Sequence, residues 1–515
     1  MGHHDVAIVG AGAAGAVLAA RLSEDRDTSV VLIEAGGAVD DDDCRDPSQW
    51  PFLAHKPYDY AYRTVPQAGT AGRSHLWSRG RGVGGSTLLH AMAHVRGHDD
   101  DFDGWTKDAG PDWSANALAP GFARVEAAYA AVRTRRGGPP LDSAGTMLPD
   151  ADAAHPLARD FVQAGRALGL PALPTHNGAS LIGATLNTLL IGGGARITIA
   201  DAYLGDALLR PNLTLLTGAV AETLMVEQDD AGRAIIKGIV LTGSAPAVTA
   251  DTVILAAGAI DTPLLLMRSG IGRPETLSAA GITPRHTLGG VGENLQDHLF
   301  GAGNVYRTRA LLAPSRQQHS ESLMYAKAGD TPSGRGLPDV VVACVLLPAI
   351  AEGLPGPGAD AFTLLYGITH PKSRGTLRPT GPGLGDPPAI DPQYLTHPDD
   401  RATMTAALTF ARRLARTKPL FDWVAEEHLP GESVTDAAAL DDFNARALIT
   451  HHHPAGTCAI GTADHSPLTP DLAVRGTQGL YVCDASAIPT LPSGPINAAV
   501  SAMAEVFAER LKRRL

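Results

Sequence analysis

The chain opens with Asp5-Val-Ala-Ile-Val-Gly10-Ala-Gly12-Ala-Ala14-Gly15, continues through Ala16-Val-Leu-Ala-Ala-Arg-Leu22, and reaches Ser29-Val-Val-Leu-Ile-Glu34. A short apolar run, a glycine-rich turn, an alanine-rich helical stretch and a second apolar run ending in an acid read as strand, turn, helix and strand. Gly10 permits the tight turn, Gly12 leaves backbone open to a pyrophosphate, and Gly15 lets the helix pack closely on the strand. The helix start, which includes Ala14, then faces phosphates with free N–H groups. Glu34, about 20 residues further on, can accept hydrogen bonds from ribose hydroxyls. Three glycines alone would be weak evidence; the complete β-α-β frame with its terminal acid predicts a dinucleotide site.

Outward from that frame, 515 residues with 44% hydrophobic and 19% charged content allow two or three domains around a sizeable core. No apolar run reaches the roughly 18 residues of a membrane span. The start of the chain lacks a basic stretch, a long apolar run and a cleavage site, so no secretion signal is expected. A net charge of −12 argues against tracking nucleic-acid phosphates. Cys44, Cys344, Cys458 and Cys483 are too scattered for a disulfide framework and form no C-x-x-C pair, which predicts a reducing, cytoplasmic setting. The sequence carries no internal repeat and no signal of oligomeric state.

Strand-like runs at Leu213 to Leu216, Gly238 to Leu241 and Thr252 to Ala256 read as the return of the first domain. From about residue 300 to 440 the pattern changes to alternating, β-branched strands such as Val340 to Val345 and Phe362 to Ile368, separated by Pro- and Gly-rich turns. Residues 136 to 156 read as an irregular connection, and the acids Asp40 to Asp43 as a solvated loop. A helix is predicted from about Pro495, with Val500, Met503, Phe507 and Leu511 as its core stripe.

Three further segments stand out. Gly80-Arg81-Gly-Val-Gly84-Gly85-Ser86-Thr-Leu-Leu89-His90 is followed by Arg96, Gly97 and Asp103. Gly258-Ala-Ile-Asp-Thr262-Pro263 runs on to Ser269-Gly270-Ile-Gly272. Near the end come His453-Pro-Ala-Gly456-Thr457-Cys458 and Asp484-Ala485-Ser486, continuing through Asn497. With the opening fingerprint, these resemble the signatures of the glucose-methanol-choline (GMC) family of flavin oxidoreductases. The resemblance implies an α/β fold: a Rossmann-like FAD-binding domain (residues 1–155, 193–298 and 446–515) and a second α+β substrate-binding domain on a mostly antiparallel sheet (residues 156–192 and 299–445). It implies FAD with its pyrophosphate at Gly10, Gly12, Ala14 and Gly15, its ribose at Glu34 and its adenine at the backbone of Val220. Arg81, Gly84, Gly85, Ser86, His90 and Ala91 would meet the cofactor from the second segment. Ala257, Asp484, Ala485, Pro495, Ile496 and Asn497 would complete its surroundings. Family members that attach flavin through a histidine carry it at the position of Leu89, so noncovalent FAD is expected here.

The same resemblance makes His453 the base that accepts an alcohol proton, a task suited to imidazole. Pro495 stands where the family usually places a second catalytic His or Asn, and has no side-chain donor or acceptor to offer. His451, two residues from His453, shares its face if the stretch is extended and is the expected substitute, with His452 pointing away. Adjacent histidines suggest a metal, but no Cys or carboxylate sits at ligand spacing and none is expected. The helix starting at Pro495 would stabilise negative charge at flavin N1 and O2 through its dipole. His94 departs from the first signature; it, His98, His286 and His298 are read as loop or core hydrogen-bonding residues, and Cys458 and Cys483 as small apolar ones. The implied activity is oxidation of a primary alcohol on an aromatic or heteroaromatic ring, with a small-molecule alcohol and oxygen or another electron acceptor as partners. A hydroxynitrile-lyase-like protein with non-redox FAD, or a dehydrogenase for another alcohol class, remains the alternative.

Overall fold

The computed structural model describes residues 2–230, 233–243, 246–329 and 336–515. The predicted opening is present: strand His3–Val9, helix Ala13–Leu22 and strand Val30–Ile33. All four residues of the second strand are buried, as its continuous apolar composition requires in a sheet covered on both faces. Five parallel strands lie in the spatial order Leu480–Val482, Val248–Leu255, His3–Val9, Val30–Ile33 and Leu213–Leu216. The antiparallel hairpin of Ala221–Gln228 and Ala234–Leu241 extends from this sheet.

The second sheet is antiparallel throughout. Its strands run Val424–Leu429, Val305–Thr308, Ala361–Ile368, Val340–Val345, Ser322–Ala326 and Gly183–Leu186. Short strand Leu299–Gly301 joins it, and Leu448–Thr450 pairs on the far side of that strand. This last pairing matters for function, because it fastens the histidine segment that follows Thr450 beside His298, which precedes Leu299.

Helix Ile496–Leu511 lies across Ala13–Leu22 and Ala115–Arg135, and its stripe residues Val500, Met503, Phe507 and Leu511 are buried in the main core. Pro495 is the residue before the first helical turn, in an extended conformation suited to its fixed φ. One local expectation fails. The acids at 40–43 are not a featureless loop: Asp41 caps a helical turn Asp42–Arg45 by accepting from the Asp43 N–H, and Lys56 sits 2.6 Å from Asp43. An acid before the turn and acids within it favour a helical start through capping and dipole together. All four cysteines are free and buried, as small apolar side chains. Among the described residues no helix is long and apolar enough to cross a membrane.

Candidate active site

A cavity of about 760 Å³ opens along the carboxyl ends of the parallel strands and reaches the antiparallel sheet, within the size range of ligand sites. One wall is bare backbone. Gly10 has φ +102°, and a Cβ there would come within 2.5 Å of the Ala256 carbonyl oxygen. Gly85, at φ +52°, lies so close to Gly12 that its Cβ would sit 2.6 Å from the Gly12 Cα. Two glycine loops thus press together, and a side chain at Gly10 or Gly85 would collide with the neighbouring backbone and force the loops apart. The helix after Gly12 has no side-chain cap, which leaves its first N–H groups for a ligand.

Of the residues expected around a cofactor, Gly10, Gly12, Ala14, Glu34, Arg81, Gly85, Ser86, His90, Ala91, Val220, Ala257, Asp484, Ala485, Pro495, Ile496 and Asn497 all line this cavity. Gly15 and Gly84 do not. Gly15 is packed against the Gly10 carbonyl, where a Cβ would approach to 1.8 Å, so it serves the close helix-strand approach. Gly84 turns the second loop at φ +116° and its N–H bonds the Ala11 carbonyl. Glu34 is tied into the turn it faces: its two oxygens accept from the backbone of Ala11 (2.9 Å) and Gly36 (2.8 Å). Burial raises its pKa against those bonds, and its remaining lone pairs face the cleft. Asp484 is more completely committed, since it accepts from Gly258 N–H, Thr262 Oγ1 and Ser486 and anchors the helix Gly258–Arg268.

The opposite wall is built of imidazoles. Strand Leu448–Thr450 ends before them, and His452 takes φ +61°, so the stretch is not extended as expected. The kink still brings His451 and His453 together, with ring centroids 4.1 Å apart. His452 also contributes to the cavity lining, and its carbonyl accepts from Arg79 Nη2 at 2.6 Å. The His451 ring lies tilted against Phe300, with centroids 3.9 Å apart and planes at 40°. Buried Asp297 organises the segment by accepting from the His453 N–H (2.7 Å), Thr450 Oγ1 (2.6 Å) and the Tyr394 hydroxyl. Its own pKa is pushed up to about 6 by burial, against these hydrogen bonds.

His298, read from sequence as a loop or core residue, is buried directly behind this wall, where it contacts His453. Its Nδ1 lies 2.9 Å from His453 Nδ1, and its Nε2 lies 2.9 Å from the Thr369 carbonyl. Burial holds its pKa down at about 4, so the ring is neutral and carries one proton. A carbonyl only accepts, which places that proton on His298 Nε2 and leaves Nδ1 as an acceptor. His453 must then donate from Nδ1, and its Nε2 keeps a bare lone pair. Burial, reinforced by His451, His298 and Arg79, drives His453 well below the ordinary histidine range, and burial does the same to His451. The hydrogen-bond network therefore holds the His453 ring neutral and fixed in orientation.

The other histidines have structural partners: His94 bonds buried Glu126, His98 caps helix Asp99–Ala109, and His286 faces the Arg475 carbonyl. Residues that sequence reasoning passed over include Arg79, Tyr62 and Asp261, all in the cavity wall. Tyr62 donates to Asp261, whose pKa burial raises to about 6. Arg79 and Asp261 fall inside or beside segments already singled out, but nothing in their spacing announces a cavity position.

A parallel sheet with a glycine cradle, joined through one cleft to an antiparallel sheet that supplies an imidazole wall, defines a two-sheet α/β oxidoreductase class. Family models described as GMC oxidoreductase match residues 4–300 and 371–504. Pyridoxine 4-oxidase of Microbacterium luteolum is 45% identical over 521 residues, covering 99% of this chain and 100% of the relative. An oxygen-dependent choline dehydrogenase of Photobacterium profundum is 31% identical, covering 99% and 93%. A crystal structure of pyridoxine 4-oxidase from Mesorbium loti superimposes with a TM-score of 0.93 at 44% identity over 99% of both chains. The chain belongs to the GMC oxidoreductase family.

Proposed function

We propose that this chain is an FAD-dependent oxidase or dehydrogenase that converts a primary alcohol on a heteroaromatic ring to the aldehyde, with a pyridoxine-like compound as substrate. The observation that carries the reading is the hydrogen-bonded order Thr369 carbonyl, His298, His453, which leaves His453 Nε2 free to take a hydroxyl proton.

The cavity fits the cofactor that the family implies. Gly10, Gly12 and Gly85 form a backbone floor that lines the cavity beside the uncapped helix start, and buried His90 Nε2 has no hydrogen-bond partner among the described residues. Gly10 to Ala14 and Glu34 would hold the nucleotide end, with Val220 at the adenine. His90, Ala91 and the helix start at Pro495, Ile496 and Asn497 would hold the flavin end. When bound, FAD would supply the hydride acceptor. Leu89, which also lines the cavity, offers no nucleophile for attachment, and this supports noncovalent binding.

His453 accepts the proton; His451 faces the same space and is the available hydrogen-bond donor for the substrate oxygen that Pro495 cannot bind. The Pro495 ring, with Trp50, Pro51 and Met92 in the same cavity, gives apolar surface suited to a flat ring. The names of the relatives point to the same substrate class, and the four free cysteines are compatible with a cytoplasmic setting. Anaerobic mixing of the yellow holoprotein with a panel of alcohols tests the proposal. Bleaching by pyridoxine or a benzylic alcohol supports it. Reduction only by aliphatic alcohols, sugars or choline overturns the substrate assignment, and no reduction by any alcohol overturns the redox assignment.

A further inference from the structure

His298, His451 and His453 each offer a ring nitrogen, and these three atoms lie within 4.8 Å of one another at the edge of the cavity. We propose that this cluster is a binding site for a borderline divalent metal ion such as Zn(II), and that its occupation disables the base at His453. The sequence hides the cluster, because its third imidazole comes from the segment before Leu299 and reaches the others only through the pairing of Leu299–Gly301 with Leu448–Thr450.

The donor set decides the class of ion. Three imidazoles without a carboxylate suit zinc, copper or nickel and not magnesium or calcium. His298 already has the outer-sphere contact common to metal-bound histidines, its Nε2–H donating to the Thr369 carbonyl while Nδ1 turns inward. The Nδ1 atoms of His298 and His453 are 2.9 Å apart. Two metal–nitrogen bonds of about 2.1 Å at a tetrahedral angle put nitrogens roughly 3.4 Å apart, so these two rings need to part by only about half an ångström. His451 is fixed nearby through its N–H to the His298 carbonyl at 2.9 Å, and the cavity provides both entry and a fourth coordination position.

Occupation changes no charge on the ligands and requires no redox step. A neutral imidazole ligated through Nδ1 carries its proton on Nε2. The proton that His453 Nδ1 donates to His298 is therefore replaced by the metal and reappears on His453 Nε2. The atom that would accept an alcohol proton becomes a donor.

The test is metal retention by the flavin-loaded protein, which is read without turnover and so stands or falls apart from the proposed activity. After equilibrium dialysis against limiting Zn(II), the wild-type chain should retain about one zinc. His298→Phe and His451→Phe, each checked for flavin content and thermal melting, should bind at least about tenfold more weakly. Co(II) added to the wild-type protein should give the visible ligand-field bands of a four- or five-coordinate nitrogen site, removable with EDTA. That measurement keeps the proposal testable if either variant does not fold. Wild-type protein that retains no zinc, variants that bind it as tightly as wild type, or cobalt that stays in its hexaaqua form would each overturn the site.

Discussion

The two walls of the cleft are made from different materials. At Gly10, Gly12 and Gly85 the wall is backbone, and its shape comes from residues close together in two short loops that press on each other. At His451 and His453 the wall is side chain, backed by His298 from a distant segment and held by hydrogen bonds to Asp297 and Thr369. The first kind of surface tolerates no added atom but asks nothing of protonation. The second tolerates some change of shape but depends on which nitrogen carries a proton. Binding and proton transfer are thus expected to respond to different perturbations.

Adding a side chain to the backbone wall should have the largest effect. Gly85→Val, with its Cβ 2.6 Å from Gly12 Cα and a positive φ to strain, should retain roughly a tenth or less of the flavin seen in wild type. Flavin-to-protein absorbance after gel filtration checks this, and full retention would mean that the cradle is not where the cofactor sits. On the imidazole wall the opposite split is expected. His453→Ala should keep its flavin and slow anaerobic reduction by about two to four orders of magnitude. Loss of flavin in that variant, or reduction at the wild-type rate, would erase the distinction between the walls.

His298 sharpens the comparison. His298→Leu removes the acceptor that holds the His453 proton on Nδ1, and reduction should slow by about 10- to 100-fold. His298→Asn, whose side-chain carbonyl can accept the same hydrogen bond, should recover part of that rate. A purely structural role for His298 would make the two variants equal.

The smallest effects are those of pH. Because burial holds His453 below the usual histidine value of 6.5, its base form is complete at neutrality. The rate of flavin reduction should be flat from about pH 6.5 to 8 and fall only in more acid solution. Stability should follow the same sign. His75, His176, His298 and His451 have depressed values in the folded chain and take up protons near 6.5 when unfolded. Their contribution is present above that pH and is lost as pH falls, so the melting temperature should drop between about pH 7 and 5. An acid limb centred at or above 6.5 in the reduction rate would place the base in a wetter site than the cavity provides.

What the sequence reveals follows the same division. Gly10 to Glu34 could be read because a dinucleotide turn is a local object whose parts have fixed spacing. Strands Leu213–Leu216 and Val340–Val345 matched their apolar runs to the residue, although only the second is buried along its whole length. The helix stripe from Val500 to Leu511 was equally plain. His298 was not, since its role depends on a strand pairing with residues about 150 positions away, and its neighbours in sequence say nothing of that. The αL turn at His452 was also hidden, because histidine's mild tendency toward positive φ applies equally to all three residues of the run and does not single out the middle one. Asp41 gave a readable signal that the loop assignment overlooked, an acid placed to cap the residues after it.

The Thr369 carbonyl has a consequence for traffic through the site. A carbonyl oxygen holds a hydrogen bond but does not take up a proton at neutral pH, so the imidazole chain that begins at His453 ends at His298. Under the proposed function, a proton lifted from an alcohol would be shared between two rings and would travel no further into the protein. Its way out is the way the alcohol came in. For that proton the site would be a cul-de-sac that opens only toward the cleft.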